Sequence, residues 1–310
     1  MVASDALNSV HRVDRQLSVY RETSEVSRLN NAAAAAPQVI SAELAWLLRV
    51  CWDLHQSTAG AFDPAVQSVI QLWSGCRSAG RIPDSSEVAA ALACCGLDKL
   101  EFEKSADDES LLEQPGALRV SYKLAGVGLN FGAIGKGWGI DRAMDILRDA
   151  GLNDCLLHGG YSSLYACGEH AGQGGWPVDL KNPLFTDKAY LTLLLRDQAL
   201  ATSGSNVQFF RSGGKRYGHI LDPRTGWPAE QLLSVSVLAP TAAEADALST
   251  AFYVMGLEKS REYCHTHPSI GAILTPPPSR GRTLAPVLCN IPPDRVFIVS
   301  DDVHADSDGG

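Results

Sequence analysis

The stretch PTAAEADALSTAFYVMG, Pro240 to Gly256, carries a helix start, an apolar helical repeat and a glycine stop in one run, and so defines an element around which the rest of the chain must pack. Thr241 and Glu244 have the spacing of a reciprocal capping box, in which each side chain satisfies a backbone amide that the first turn leaves without a partner. Ala245, Leu248, Phe252 and Met255 then recur at helical spacing and predict the core face. Asp246 and Thr250, four apart, share a neighbouring stripe, so two hard oxygen donors point the same way. The pair is compatible with Mg²⁺, which takes few protein oxygens and keeps positions for water and phosphate. It is also compatible with Thr250 bonding a carbonyl of its own helix and Asp246 complementing the helix dipole.

With 310 residues, 45% of them hydrophobic and 20% charged, the chain can bury a large core as one big domain or two modest ones. A net charge of −9 without any Lys/Arg cluster argues against a nucleic-acid surface. Anionic ligands must then be met by a metal or by backbone amides. The eight cysteines show no paired CxxC spacing and read as reduced thiols. The tract Cys264-His265-Thr266-His267 superficially suggests a metal site, but it falls where a helix should end before Pro268. Arg49 interrupts the most apolar run, LAWLLRVCWDL, so no spanning segment is expected, and without a secretory signal the sequence as given reads as cytoplasmic.

The N-terminal third reads as helical. Leu44, Leu47, Leu48, Cys51 and Leu54 form a stripe behind Ser41 that ends at Gly60, a new helix restarts at Asp63-Pro64, and Asp84 with Glu87 makes another capping box ahead of Val88 to Cys94. After residue 97 short β-rich runs take over: Leu118 to Ser121, Cys155 to Leu157, Tyr190 to Leu195, Val235 to Leu238 and Ile270 to Leu274. Two strong helices interrupt them, one from about Gly137 to Ala150 and the one at Pro240–Gly256. This order predicts an α+β fold of mixed, largely antiparallel sheets with packed helices, organised as one domain over residues 1–300 with a helical insertion at about 38–97. The acidic tail 301–310 is expected to be disordered.

Two turns carry further chemistry. Gly132-Ala133-Ile134-Gly135-Lys136-Gly137-Trp138-Gly139 enters a helix faced by Ile140, Met144 and Leu147, which brings backbone amides and a positive dipole end near an anion. Its spacing matches neither the P-loop nor the dinucleotide fingerprint, and a close strand-to-helix packing turn would need the same glycines. His219 stands just before Asp222-Pro223-Arg224-Thr225-Gly226, where proline fixes φ and glycine frees it. That histidine can be a base, an acid, a ligand contact or a structural residue.

Taken in order, LSVYRETSEVSRLN (Leu17 to Asn30), STAGAFDP (Ser57 to Pro64), FGAIGKGWGIDRA (Phe131 to Ala143), HGG (His158 to Gly160), ATSG (Ala201 to Gly204), HILDPRTGWP (His219 to Pro228) and ADALSTA (Ala245 to Ala251) resemble the blocks of the ApbE family of FAD:protein FMN transferases. The resemblance implies a Mg²⁺-dependent enzyme that splits FAD at its diphosphate, releases AMP and passes FMN through its phosphate to a threonine or serine of an acceptor flavoprotein. It implies metal ligation by Asp246, Thr250 and the carbonyl of Ala133, and flavin contacts from Tyr20, Ala61, Phe62, Asp63, Lys136 and His219. Either Asp246 or His219 could deprotonate the acceptor. Two other outcomes stay open, an FAD pyrophosphatase that uses water as acceptor and a flavin-binding protein without turnover.

The chain departs from the family's pattern at three places. Asn130, a further flavin-side candidate, stands where the family often has Asp before the glycine-rich block, and Tyr161 follows Gly159-Gly160 where the family often has Asp. The usual Met-Gly-Thr turn of an N-terminal strand is absent from the sequence given, which leaves one wall of the expected flavin pocket unaccounted for. Many members of the family act outside the cytoplasmic membrane, so the cytoplasmic reading applies to the sequence as printed.

Overall fold

Three helix starts in this chain are written in their capping residues, Ser41, Asp84 and Thr241, and the computed structural model, which describes residues 2–103, 118–160, 162–204, 209–279, 281–300, 303, 306 and 307, places them accordingly. Its helices are α1 (Val2–Leu17), α2 (Glu25–Ala32), α3 (Ala42–Ser57), α4 (Gln67–Ser78), α5 (Ser85–Ala93), α6 (Gly135–Asp149), α7 (Ala242–Met255) and α8 (Leu257–Thr266). Ser41 caps α3 by accepting the Leu44 N–H, and Asp84 with Glu87 closes a full capping box on α5. The restart expected at Asp63-Pro64 is displaced: α4 has Val66 at its N-cap. The Asp63 carboxylate is drawn inward instead, accepting from the N–H groups of Ala65 (2.7 Å) and Leu97 (3.2 Å) and pairing with His55 Nδ1 at 3.2 Å.

A seven-stranded sheet runs in the spatial order Asp306–Ser307, Val287–Cys289, Gly271–Thr275, Ser234–Ala239, Gln198–Gly204, Ser163–Cys167, Cys155–His158. All its pairings are antiparallel except the outermost, between Val287–Cys289 and Asp306–Ser307. Helices α6 and α7 cover one face, packing with Ala199, Ala201, Val235 and Val237. A three-stranded sheet of Trp176–Lys181, Ala189–Leu195 and Val296–Ile298 covers the other, where Tyr190, Leu191 and Leu193 meet Leu200, Leu238 and Ile273. Strand Ser234–Ala239 is therefore buried along its whole length, its two serines included. The fold is α+β with mixed, largely antiparallel sheets, as the sequence predicts.

Three expectations change in detail. The second half of the chain holds a third helix, α8, which Gly256 at φ 77° separates from α7. Most of the acidic tail expected to be disordered lies outside the described residues, but Val303 bridges Leu284 and is buried, and Asp306–Ser307 is a strand. Helix α7 has no solvent face: Asp246 and Ser249 are buried together with Ala245, Leu248 and Phe252, because α7 lies between the main sheet and α6. Its apolar repeat marks where the core is deepest and not where the core stops.

Gly137 governs how close α6 and α7 come. A Cβ at that position would lie 1.9 Å from the Ala242 carbonyl oxygen and 2.6 Å from the Ala243 nitrogen, both backbone atoms that cannot swing away. Gly137→Ala should therefore cost about 3 kcal/mol or more in urea unfolding. Gly75→Ala, inside α4 with nothing within 4 Å of the added carbon, should stabilise by about 0.5–1 kcal/mol in the same measurement. Equal effects from the two would contradict the close approach.

Candidate active site

The turn that opens α6 is held from behind before it offers anything to a ligand. Asn130 Oδ1 accepts the Gly132 N–H at 2.8 Å, its Nδ2 donates to Gln67 Oε1 at 2.8 Å, and its backbone N–H donates to the Pro64 carbonyl at 2.7 Å. This residue thus braces the glycine-rich turn against the Asp63-Pro64 turn and α4. Gly137 N–H, which a regular helix start would direct to the Ala133 carbonyl, donates to Asp246 Oδ2 at 3.2 Å. Ala133 stands in the turn that leads into α6.

Asp246 is 4% exposed, and its neighbours account for both of its oxygens. Oδ1 accepts from Ser163 Oγ at 3.1 Å and lies 3.0 Å from Lys136 Nζ, while Oδ2 takes the Gly137 N–H and lies 3.2 Å from the same ammonium. Lys136 Nζ also donates to the Gly132 carbonyl at 3.2 Å. One turn along α7, Thr250 Oγ1 sits 3.2 Å from Ser203 Oγ, which is 2.9 Å from Ser249 Oγ. The sheet register delivers the two strand serines: Ser163 pairs opposite Ala201, two residues before Ser203, on the face that meets α7.

Among the described residues no three His, Cys, Asp or Glu side chains cluster as a metal site, so a cation here relies on one carboxylate with neutral oxygens. The donor types suit a hard cation: the Asp246 carboxylate, which already draws an ammonium, the Thr250 and Ser203 hydroxyls one turn along α7, and the Ala133 carbonyl of the turn before α6. The Cys264–His267 tract does not compete for that role. Its His267 ring stacks on Tyr263 with centroids 4.0 Å apart, and Nδ1 is 2.9 Å from both the Tyr263 carbonyl and Thr266 Oγ1. All eight cysteines are free thiols.

The other candidates are placed differently. Ala61, Phe62 and Asp63 are buried, with the Asp63 carboxylate committed to the fold, so that turn can offer a ligand its backbone. The Asp63 hydrogen bond, more than burial, sets His55 and raises its pKa. Tyr20 is 93% exposed on the loop between α1 and α2. His219 is exposed at the end of the hairpin formed by Phe209–Ser212 and Lys215–Gly218. That hairpin leans on the N-terminal helices: Tyr217 and Phe210 pack on Trp73, whose Nε1 donates to the Gly226 carbonyl at 2.7 Å. Tyr161 lies outside the described residues.

The profile of the ApbE family matches residues 2–274. The chain belongs to the ApbE family. It is 31% identical over 293 residues to the FAD:protein FMN transferase of Treponema pallidum, covering 91% of this chain and 78% of that protein. With the FAD:protein FMN transferase of Haemophilus influenzae it shares 30% identity over 256 residues, 81% of this chain and 71% of the other. It superposes on the solved ApbE protein from Thermotoga maritima with a TM-score of 0.77 at 29% identity, covering 88% of this chain and 85% of that one.

The residues of this ApbE-family site that the sequence does not announce are Ser163, Ser203 and Asp141. The two serines sit in strands that register alone brings beneath α7. Asp141 stands one turn after Gly137 on α6 and accepts the N–H groups of Ala242 and Ala243 at 2.7 and 2.9 Å, so it completes the cap that Thr241 begins on α7. The signal that could have found it is its place inside the FGAIGKGWGIDRA block, as that for Ser203 is its place inside ATSG. Burial outweighs these two bonds and pushes the Asp141 carboxyl up to about 6 from an ordinary 3.8. The folded protein therefore keeps a proton that the unfolded chain has lost. Its contribution to stability is complete below about pH 4 and is lost as pH rises through about 6. Carbon-13 NMR should find this carboxyl titrating near pH 6, whereas a midpoint below about 4.5 would contradict the burial argument.

Proposed function

We propose that this chain is a Mg²⁺-dependent FAD:protein FMN transferase, which cleaves FAD, releases AMP and joins FMN through its phosphate to a threonine or serine of an acceptor flavoprotein. Family membership supports the reaction, and the observation that carries the site is the buried Asp246 carboxylate at the mouth of a glycine-rich helix start, bonded to the Ser163 hydroxyl and the Gly137 amide. Asp246, Thr250 and the Ala133 carbonyl hold the metal. A Mg²⁺ ion there supplies charge neutralisation on the diphosphate as AMP departs.

The chain's own residues do the remaining work. The positive end of the α6 dipole and the Lys136 ammonium attract the diphosphate of FAD. Asn130 keeps that turn in place through Gln67 and Pro64. Tyr20 offers an aromatic face to the flavin, and the backbone of Ala61, Phe62 and Asp63 forms part of the wall beneath it. The acceptor hydroxyl oxygen bonds to the phosphorus on the FMN side, the bond to the AMP oxygen breaks, and the hydroxyl proton passes to a base. Asp246 is engaged by Ser163, Gly137 and Lys136, which suits a ligand-holding role and leaves His219 as the candidate base.

The test incubates the protein with FAD, Mg²⁺ and a candidate acceptor domain and follows AMP and covalent flavin. AMP with flavinylated acceptor is the expected result. AMP with free FMN alone would mean hydrolysis, and intact FAD that stays bound would mean a binder. Asp246→Ala should lower AMP release at least about 100-fold while circular dichroism still reports a folded chain. Undiminished turnover in that variant would refute the site.

A further inference from the structure

The ammonium of Lys136 occupies the outward side of Asp246 as a cation would. It touches both carboxylate oxygens, at 3.0 and 3.2 Å, and a carbonyl of the glycine-rich turn, at 3.2 Å, so three oxygens from α7 and the α6 turn converge on one positive charge. The Asp246 side chain is 6% exposed and fixed on α7, whereas Lys136 is 44% exposed and ends a flexible four-carbon stem that can swing outward. A divalent ion ligated by Asp246 and that ammonium would be like charges in contact, so the two positions exclude each other.

We infer that Lys136 is a tethered counter-ion that holds the site charged and ordered without metal, and is exchanged for the divalent cation when it binds. This rests on the metal assignment made above and adds to it a positioning role for Lys136. The lysine in place of the metal balances the Asp246 charge and, with Ser163 and Gly137, fixes its rotamer. On exchange the ammonium is released on the side where an anionic substrate approaches.

The experiment measures Mn²⁺ and Mg²⁺ binding by calorimetry and electron paramagnetic resonance on the full chain without FAD, in wild type, Lys136→Met and Asp246→Asn. Removing the competitor should tighten metal binding about tenfold in Lys136→Met. Its metal-free melting temperature should fall below that of wild type while the metal-saturated values converge. A role limited to holding the turn would lower both melting temperatures and leave affinity unchanged or weaker, and that result overturns the exchange. Wild-type binding that Asp246→Asn abolishes, combined with no tightening in Lys136→Met, rejects the counter-ion while the metal site stands. A metal affinity that Asp246→Asn leaves untouched rejects both.

Discussion

Two helices exchange acid-to-amide bonds, and everything else about the site follows from that exchange. Asp141 of α6 accepts the first amides of α7, and Asp246 of α7 accepts an amide from the first turn of α6. Each carboxylate thus satisfies donors that a helix cannot satisfy for itself. The reciprocity requires backbones in near contact, and Gly137 alone permits it, because any side chain there would meet the Ala242 carbonyl. One missing carbon atom thereby sets the distance between the glycine-rich turn and the helix that carries Asp246 and Thr250.

The sheet supplies the second constraint. Buried on both faces, its central strands leave α7 no solvent side, so a carboxylate on that helix is desolvated by position. Ser163, the Gly137 amide and Lys136 together offset that cost. A metal site built on a single carboxylate gains from this arrangement: the charge is fixed on rigid elements and already aimed before any ligand arrives.

Local signals made much of this legible. The caps at Ser41, Asp84 and Thr241 are short-range grammar and predicted where helices begin, and the apolar runs after residue 97 located five strands, Arg119–Tyr122, Cys155–His158, Ala189–Leu195, Ser234–Ala239 and Gly271–Thr275. The pairing of Asp246 with Thr250 on one stripe, and its nearness to the glycine-rich block, also came from spacing and family resemblance. What escaped depends on long-range register. No local pattern puts Ser163 and Ser203 under α7, names Asp141 as the second half of a cap, or turns Asp63 inward to His55 in place of starting a helix. The burial of α7 against both the sheet and α6 likewise depends on neighbours that its own sequence does not name.

Trp73 bonds the Gly226 carbonyl and packs on Tyr217, so the hairpin ending in His219 is fastened to the N-terminal helices, whereas Asp246 belongs to the sheet and α6. The histidine and the aspartate are thus mounted on different supports. Helix α4 is the piece those supports share, its Trp73 carrying the hairpin and its Gln67 bracing through Asn130 the turn beside Asp246, so a displacement of that helix would be felt at both groups.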